Sequence, residues 1–210
     1  MQQIEPGLWV WSAAHPEWEP GPTATGGWVE EVGSVYCELP AAIVLIDPVV
    51  PADPADAARL WRALDRDVER LGRPVCVLVT VHWHRRGADA AVARYGALDG
   101  VVPDGARAIA LGDPIGETAY ALPQFRALAV GDVVLGGGAI EGDPREGLRV
   151  CPPGWYGRTA AERAWYGGSG MSSALRRLAQ EPAERIITTH GTPLLAGGRN
   201  ALLALAAERR

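Results

Sequence analysis

The chain has 210 residues, a formal charge of −5 and a hydrophobic fraction of 48%, the balance of a soluble globular protein, either one domain or two tightly fused halves, with a full core. All of its basic residues are arginine, so neither a Schiff-base lysine nor the lysine of a phosphate-binding loop is available, and the acidic balance offers no footprint for nucleic acid. Three widely spaced cysteines without a CxxC pair, no signal-like start and no apolar run of roughly 20 residues predict a reduced, cytoplasmic protein that does not enter the membrane.

GLWVW (7–11) reads as a strand, and the Pro- and Gly-rich stretch 12–27 as a long loop. Two more strands follow, WVEEVGSVYCEL and AAIVLIDP, the second ending at Asp47-Pro48, where the proline favours extended backbone before it. Asp53-Pro54 has the form of a helix start, with Asp as cap and Pro at the first helical position. Ala57, Leu60, Trp61, Leu64, Val68 and Leu71 then recur at spacings of three and four, and Gly72 is placed to stop the helix.

PVCVLVTV (74–81) is continuously apolar, as a strand buried on both faces should be. GADAAVARYG predicts a short helix; ARAIAL, ETAYAL and RALAVGDVVLGG predict strands, with a turn at Pro123-Gln124. The passage 136–157 shows no periodicity. MSSALRRLAQ reads as a helix, RIITTH as a strand and NALLALAAERR as a final helix. The mixture predicts an α/β (α+β) protein with two mixed sheets and helices outside them.

Three of the four histidines stand where apolar runs end. His82 and His84 close the run 74–81, and on a strand two residues apart they share a face, as a pair of metal ligands would. His190 closes RIITTH and is followed by Gly191. Asp132 interrupts AVGDVVLGGG, with glycines beyond it that let the chain bend. His15 lies in the early loop, in reach of a pocket or simply solvated.

This set resembles the metallo-β-lactamase superfamily over most of the chain: an early strand ending in Asp47, a helix, an HxH segment, a Gly-Asp strand end and a terminal strand ending in His-Gly. The resemblance implies a single domain, 1–210, folded as an αββα sandwich with metal at one edge. It implies His82 and His84 as ligands of one metal, Asp132 as a bridging ligand, His190 as the terminal ligand and Asp47 as a brace behind them. Three positions depart from the family pattern: Arg86 and Gly87 stand where HxHxDH has Asp and His, and Asp113 aligns with the remaining histidine, with Glu117 as its rival.

Two private ligands of the second metal are therefore missing, and at most one ion is expected: zinc, with iron or manganese as alternatives, or none. Arg86 is expected either to fill the second-metal position and pair with Asp132 or to face solvent. The implied function is hydrolysis of a small ester, thioester or lactam-like substrate, with His82 and His84 holding the ion, Asp132 and His190 positioning water and Arg86 stabilising the oxyanion. The alternative is a metal-free scaffold or small-ligand-binding protein of the same fold.

Overall fold

The computed structural model describes residues 1–19 and 27–209, so positions 20–26 of the predicted 12–27 loop lie outside the described residues, and positions 12–14 continue a strand rather than a loop. The chain divides into two compact units, Met1–Glu19 with Glu30–Arg107, and Pro20–Val29 with Ala108–Arg210.

The first unit is built on six strands: β1 (Gln2–Glu5), β2 (Leu8–Ala14), β3 (Glu31–Glu38), β4 (Ile43–Ile46), β5 (Val75–Leu78) and β6 (Leu98–Asp99), hydrogen-bonded in that order. The pairs from β1 to β4 are antiparallel; β4 with β5 and β5 with β6 are parallel. A parallel pair needs a crossover, and α1 (Pro54–Leu71) supplies it between β4 and β5. Every residue of β4 and β5 is buried, which explains their unbroken apolar sequence.

The limits of α1 follow its local chemistry. The Asp53 carboxylate accepts from the amides of Ala55 and Asp56 at 2.9 Å, Pro54 opens the helix, and Gly72 ends it at φ 59°. Leu60 and Leu64 are the fully buried centre of its apolar stripe. A second helix, α2 (Ala88–Tyr95), follows β5.

The second unit holds a four-stranded sheet in the order β12 (Arg185–Thr188), β9 (Ala127–Val130), β8 (Thr118–Leu122), β7 (Arg107–Ala110). Strands β8 and β9 form an antiparallel hairpin, and β12 lies parallel to β9. A short ribbon, β10 (Val134–Leu135) with β11 (Arg149–Val150), stands apart from that sheet. The helices α3 (Ala160–Gly167), α4 (Ser169–Leu178) and α5 (Gly198–Glu208) complete the unit. Leu128, Val130, Leu175, Leu178, Ile186 and Leu202 are at the centre of its core.

The sequence does not show β1, β6 or α3 by periodicity. Helix α3 nevertheless carries a local signal: Thr159 accepts from the Glu162 amide at 3.1 Å while the Glu162 carboxylate accepts from the Thr159 amide at 3.0 Å. That reciprocal cap is written in the sequence as Thr-x-x-Glu.

Candidate functional site

Each unit contains a buried polar cluster beside the end of a central strand. In the first unit the chain leaves β4 at Asp47, which adopts φ 47°. A non-glycine residue in that region needs support, and Ser34 supplies it. Its hydroxyl donates to the Asp47 carbonyl at 2.7 Å and accepts from the Val49 amide at 2.9 Å. The turn so held points the Asp47 carboxylate at the chain leaving β5. The Thr80 amide donates to Oδ1 at 2.7 Å and its hydroxyl to Oδ2 at 2.5 Å. His84 Nδ1 lies 3.1 Å from Oδ2 and 2.9 Å from the Thr80 hydroxyl oxygen.

These contacts set the state of His84. The Thr80 hydroxyl proton is committed to Asp47, so both neighbours of Nδ1 accept, and Nδ1 carries the ring proton. Nε2 is then the nitrogen with the lone pair. A carboxylate that fixes an imidazole in this way is the usual support of a metal-binding histidine. Burial by itself raises the Asp47 carboxyl pKa, but its interaction with the His84 imidazole and the two bonds from Thr80 outweigh it, and the group sits below the usual carboxylate range.

The expectation that His82 and His84 share one face is not met. The β5 ladder stops at Leu78, opposite Ile46, the last residue of β4. Without a partner strand the chain winds into a 3-10 helix over His82–Arg85. At three residues per turn, side chains two apart point about 120° away from each other. His84 is 1% exposed, whereas His82 lies in the exposed part of the turn against Trp83. Arg85 anchors this turn from outside, donating to Asp89 at 2.9 Å and Asp99 at 2.8 Å.

Arg86 follows with φ 25° and is half-buried. Gly87 is buried, and its amide donates to the Pro48 carbonyl at 2.9 Å. His15 is half-buried on the turn after β2, where its Nδ1 accepts from the Glu17 amide at 3.0 Å.

In the second unit Asp132 sits between β9 and β10 and His190 just after β12. They are 5% and 3% exposed, and His190 Nε2 lies 3.4 Å from Asp132 Oδ1. Parallel pairing of β9 with β12, through Thr188 opposite Val130, brings these two strand ends to one level. Glycines allow the following segments to touch: Gly136 donates to the His190 carbonyl and Thr192 to the Gly137 carbonyl, each at 2.8 Å. The Trp28 and Trp155 rings meet the His190 imidazole edge to face at centroid distances of 5.1 and 5.2 Å. Trp28 belongs to the N-terminal cluster Trp9, Trp11, Trp18 and Trp28, from which sequence alone selects no pocket-lining member, and nothing local marks Trp155.

The Asp132 turn is held from below by Glu117. One oxygen, Oε2, accepts from the Asp132 and Val133 amides at 3.0 Å and from the Tyr156 hydroxyl at 2.6 Å. Burial, reinforced by the charges of Glu117 and Asp132, pushes the Tyr156 hydroxyl pKa well up, so it remains a donor. Glu117 is thus a buried brace, and Asp113, the residue aligned with the missing histidine, lies exposed on the turn between β7 and β8. Glu117→Leu is expected to leave three buried donors without their acceptor and to lower stability by about 2–4 kcal/mol. Glu117→Gln keeps one acceptor oxygen and should cost less. Equilibrium unfolding of the pair measures the difference.

The fold has many solved counterparts. A metallo-β-lactamase from Erythrobacter litoralis superposes over 99% of this chain and 91% of its own, with TM-score 0.57 and 15% identity. One from Hirschia baltica covers 100% and 96%, with TM-score 0.52 and 15% identity. The chain has the metallo-β-lactamase fold. A metallo-β-lactamase family protein from Thermus thermophilus shares it over 98% of this chain and 80% of its own, at 17% identity and TM-score 0.51. No protein-family profile matches the sequence, and no curated protein does. With mixed sheets and five α-helices among the described residues, this metallo-β-lactamase fold agrees with the sequence expectation.

Proposed function

We propose that this protein is a hydrolase of small ester, thioester or lactam-like substrates, built around a single divalent ion. Asp132 and His190, buried side by side in the second unit, hold that ion, and the family resemblance implies His84, buried in the first unit, as the third ligand. The observation that carries the reading is the Asp132–His190 geometry. Their 3.4 Å separation is long for a hydrogen bond. It matches the edge of a tetrahedron whose ligands stand at about 2.0–2.1 Å from a metal, which is about 3.3 Å. The Asp47–Thr80 contacts, which leave the lone pair on His84 Nε2, support the same assignment.

Two imidazoles and a carboxylate suit zinc, iron or manganese and leave one position for water or substrate. The donor set does not suit a pair of ions, because Arg86 and Gly87 stand where a second ion would need Asp and His. A bound ion would polarise the substrate carbonyl and acidify water. The chain's own residues supply the rest. Asp132 accepts a proton from the attacking water, Glu117 keeps that carboxylate aimed, and Trp28 and Trp155 fix the His190 ring and offer an apolar wall to the acyl group. Arg86 contributes a fixed positive charge for the developing oxyanion.

Elemental analysis after growth with zinc, iron and manganese is the test, together with turnover of nitrocefin and of p-nitrophenyl and thioester substrates. No more than one ion per chain is expected. His84→Ala, Asp132→Ala and His190→Ala should each lose it, and Asp47→Asn should weaken uptake by about 10–100-fold. Arg86→Ala should keep the ion and lose turnover. Metal uptake indifferent to all three ligand substitutions would overturn the assignment. Absence of any ion would favour the metal-free scaffold.

A further inference from the structure

The second unit contains a cavity of about 560 Å³ that the proposed hydrolysis does not use. It lies between the β11 segment, α3 and the C-terminal helix α5, and its size is within the range of about 300–1,000 Å³ typical of small-molecule sites. Leu148, Pro152 and Leu205 give it apolar walls, and Arg149 is part of its lining.

Arg149 is the unusual member. It is 4% exposed. Its Nη1 donates to Asp143, yet Nε and Nη2 are buried and meet no hydrogen-bond partner among the described residues. Those two nitrogens form one edge of the guanidinium plane, with parallel N–H bonds spaced to match the two oxygens of a carboxylate. A buried, charged donor pair without an acceptor is costly, and native proteins seldom tolerate one without a use. The rest of the wall is fixed: the Arg209 guanidinium stacks on Tyr166 and donates to its hydroxyl at 3.0 Å, and that hydroxyl donates to the Cys151 carbonyl at 2.5 Å.

We infer that this cavity is a ligand site for a small monocarboxylate with an apolar body, its carboxylate seated on the Nε–Nη2 edge of Arg149. The charge balance selects the monoanion. Asp143, Glu146 and Glu208 line the same cavity and offset Arg145, Arg149 and Arg209. A phosphate dianion would meet those carboxylates, whereas a single negative charge on a two-donor edge is compensated locally. The apolar wall requires a hydrocarbon body rather than a second polar group. The inference does not depend on the metal reading, because none of the proposed ligands lines this cavity.

Calorimetric titration of metal-stripped wild-type protein with octanoate is the test, with octan-1-ol and inorganic phosphate as controls. Octanoate should bind, and the two controls should be at least about tenfold weaker, as expected when charge-assisted hydrogen bonds are lost. Arg149→Lys keeps the charge but loses the edge, and should weaken octanoate by about tenfold or more. Leu148→Trp leaves Arg149 and Asp143 in place and fills the apolar body, so it decides the matter if Arg149→Lys does not fold. No octanoate binding at millimolar concentration, octanol binding as tight as octanoate, phosphate binding tighter, or full octanoate binding by either folded variant would overturn the proposal.

Discussion

Gly136→Ala is expected to be among the most damaging single substitutions in the second unit. A Cβ there would stand 2.0 Å from the Thr192 carbonyl oxygen and 2.8 Å from the Thr192 nitrogen. These are backbone atoms, so no rotamer change relieves the overlap. The opposing glycine is equally confined: a Cβ on Gly191, at φ 81°, would lie 2.6 Å from the Gly136 carbonyl oxygen. The two segments that carry Asp132 and His190 would have to separate, breaking the Gly136–His190 and Thr192–Gly137 hydrogen bonds. Overpacking typically costs about 1–3 kcal/mol, and a backbone obstacle places this case at the upper end. A loss of about 3 kcal/mol corresponds to a melting temperature lower by about 6–12 °C for a chain of this size. Metal uptake should fall with it, because the 3.4 Å Asp132–His190 spacing depends on the same contact. An alanine variant with unchanged melting and metal content would show that the close approach is not needed.

The second large effect is expected from Arg86→Asp combined with Gly87→His, which turns HWHRRG into the HxHxDH pattern that the sequence resembles. On sequence grounds this pair should complete the resembled ligand pattern and raise metal uptake. The structure predicts a loss of stability instead. A Cβ on Gly87 would lie 2.8 Å from Val50 Cγ2, 2.9 Å from the Pro48 carbonyl oxygen and 3.2 Å from the Val50 nitrogen. Gly87 is therefore more than a missing ligand; it lets α2 begin directly against the loop after β4. Even Gly87→Ala should cost about 1–3 kcal/mol, and an imidazole should cost more. Chemical denaturation and elemental analysis read both consequences. The expected result is a lower unfolding midpoint with no more than one ion per chain. A stable double variant holding two ions would show that the turn can open.

The accuracy of the sequence reading follows the range of the forces involved. Helix α1 was legible to its ends because Asp53, Pro54 and Gly72 act within one turn of where they stand. Strands β4, β5 and β12 were legible because burial on both faces leaves an unbroken apolar run. The break at Asp132 was legible because a charged residue beside glycine cannot continue such a run. Strand β1 escaped notice: it is polar and irregularly paired, with a register shift between Gln3 and Glu5. Strand β6 has only two residues and no pattern to read.

What the amino-acid order determined by itself was the longer elements and several residues that end them: Asp47, Asp132 and His190 stand where apolar runs break off, because a buried strand interior offers a charged or imidazole side chain few partners. Tertiary structure decided what those residues do. The end of β4 at Ile46 limits β5 to Leu78, so the HxH pair winds onto a 3-10 turn that buries His84 and leaves His82 outside. Parallel pairing of β9 with β12 sets Asp132 beside His190, though they are distant in sequence. Packing gives Glu117 three donors and makes it a brace, while Asp113, four residues earlier, remains in solvent. Each of these outcomes depends on a partner segment remote in the chain. A local pattern can specify where a strand ends, but only the neighbour it meets there specifies which way its last side chain turns.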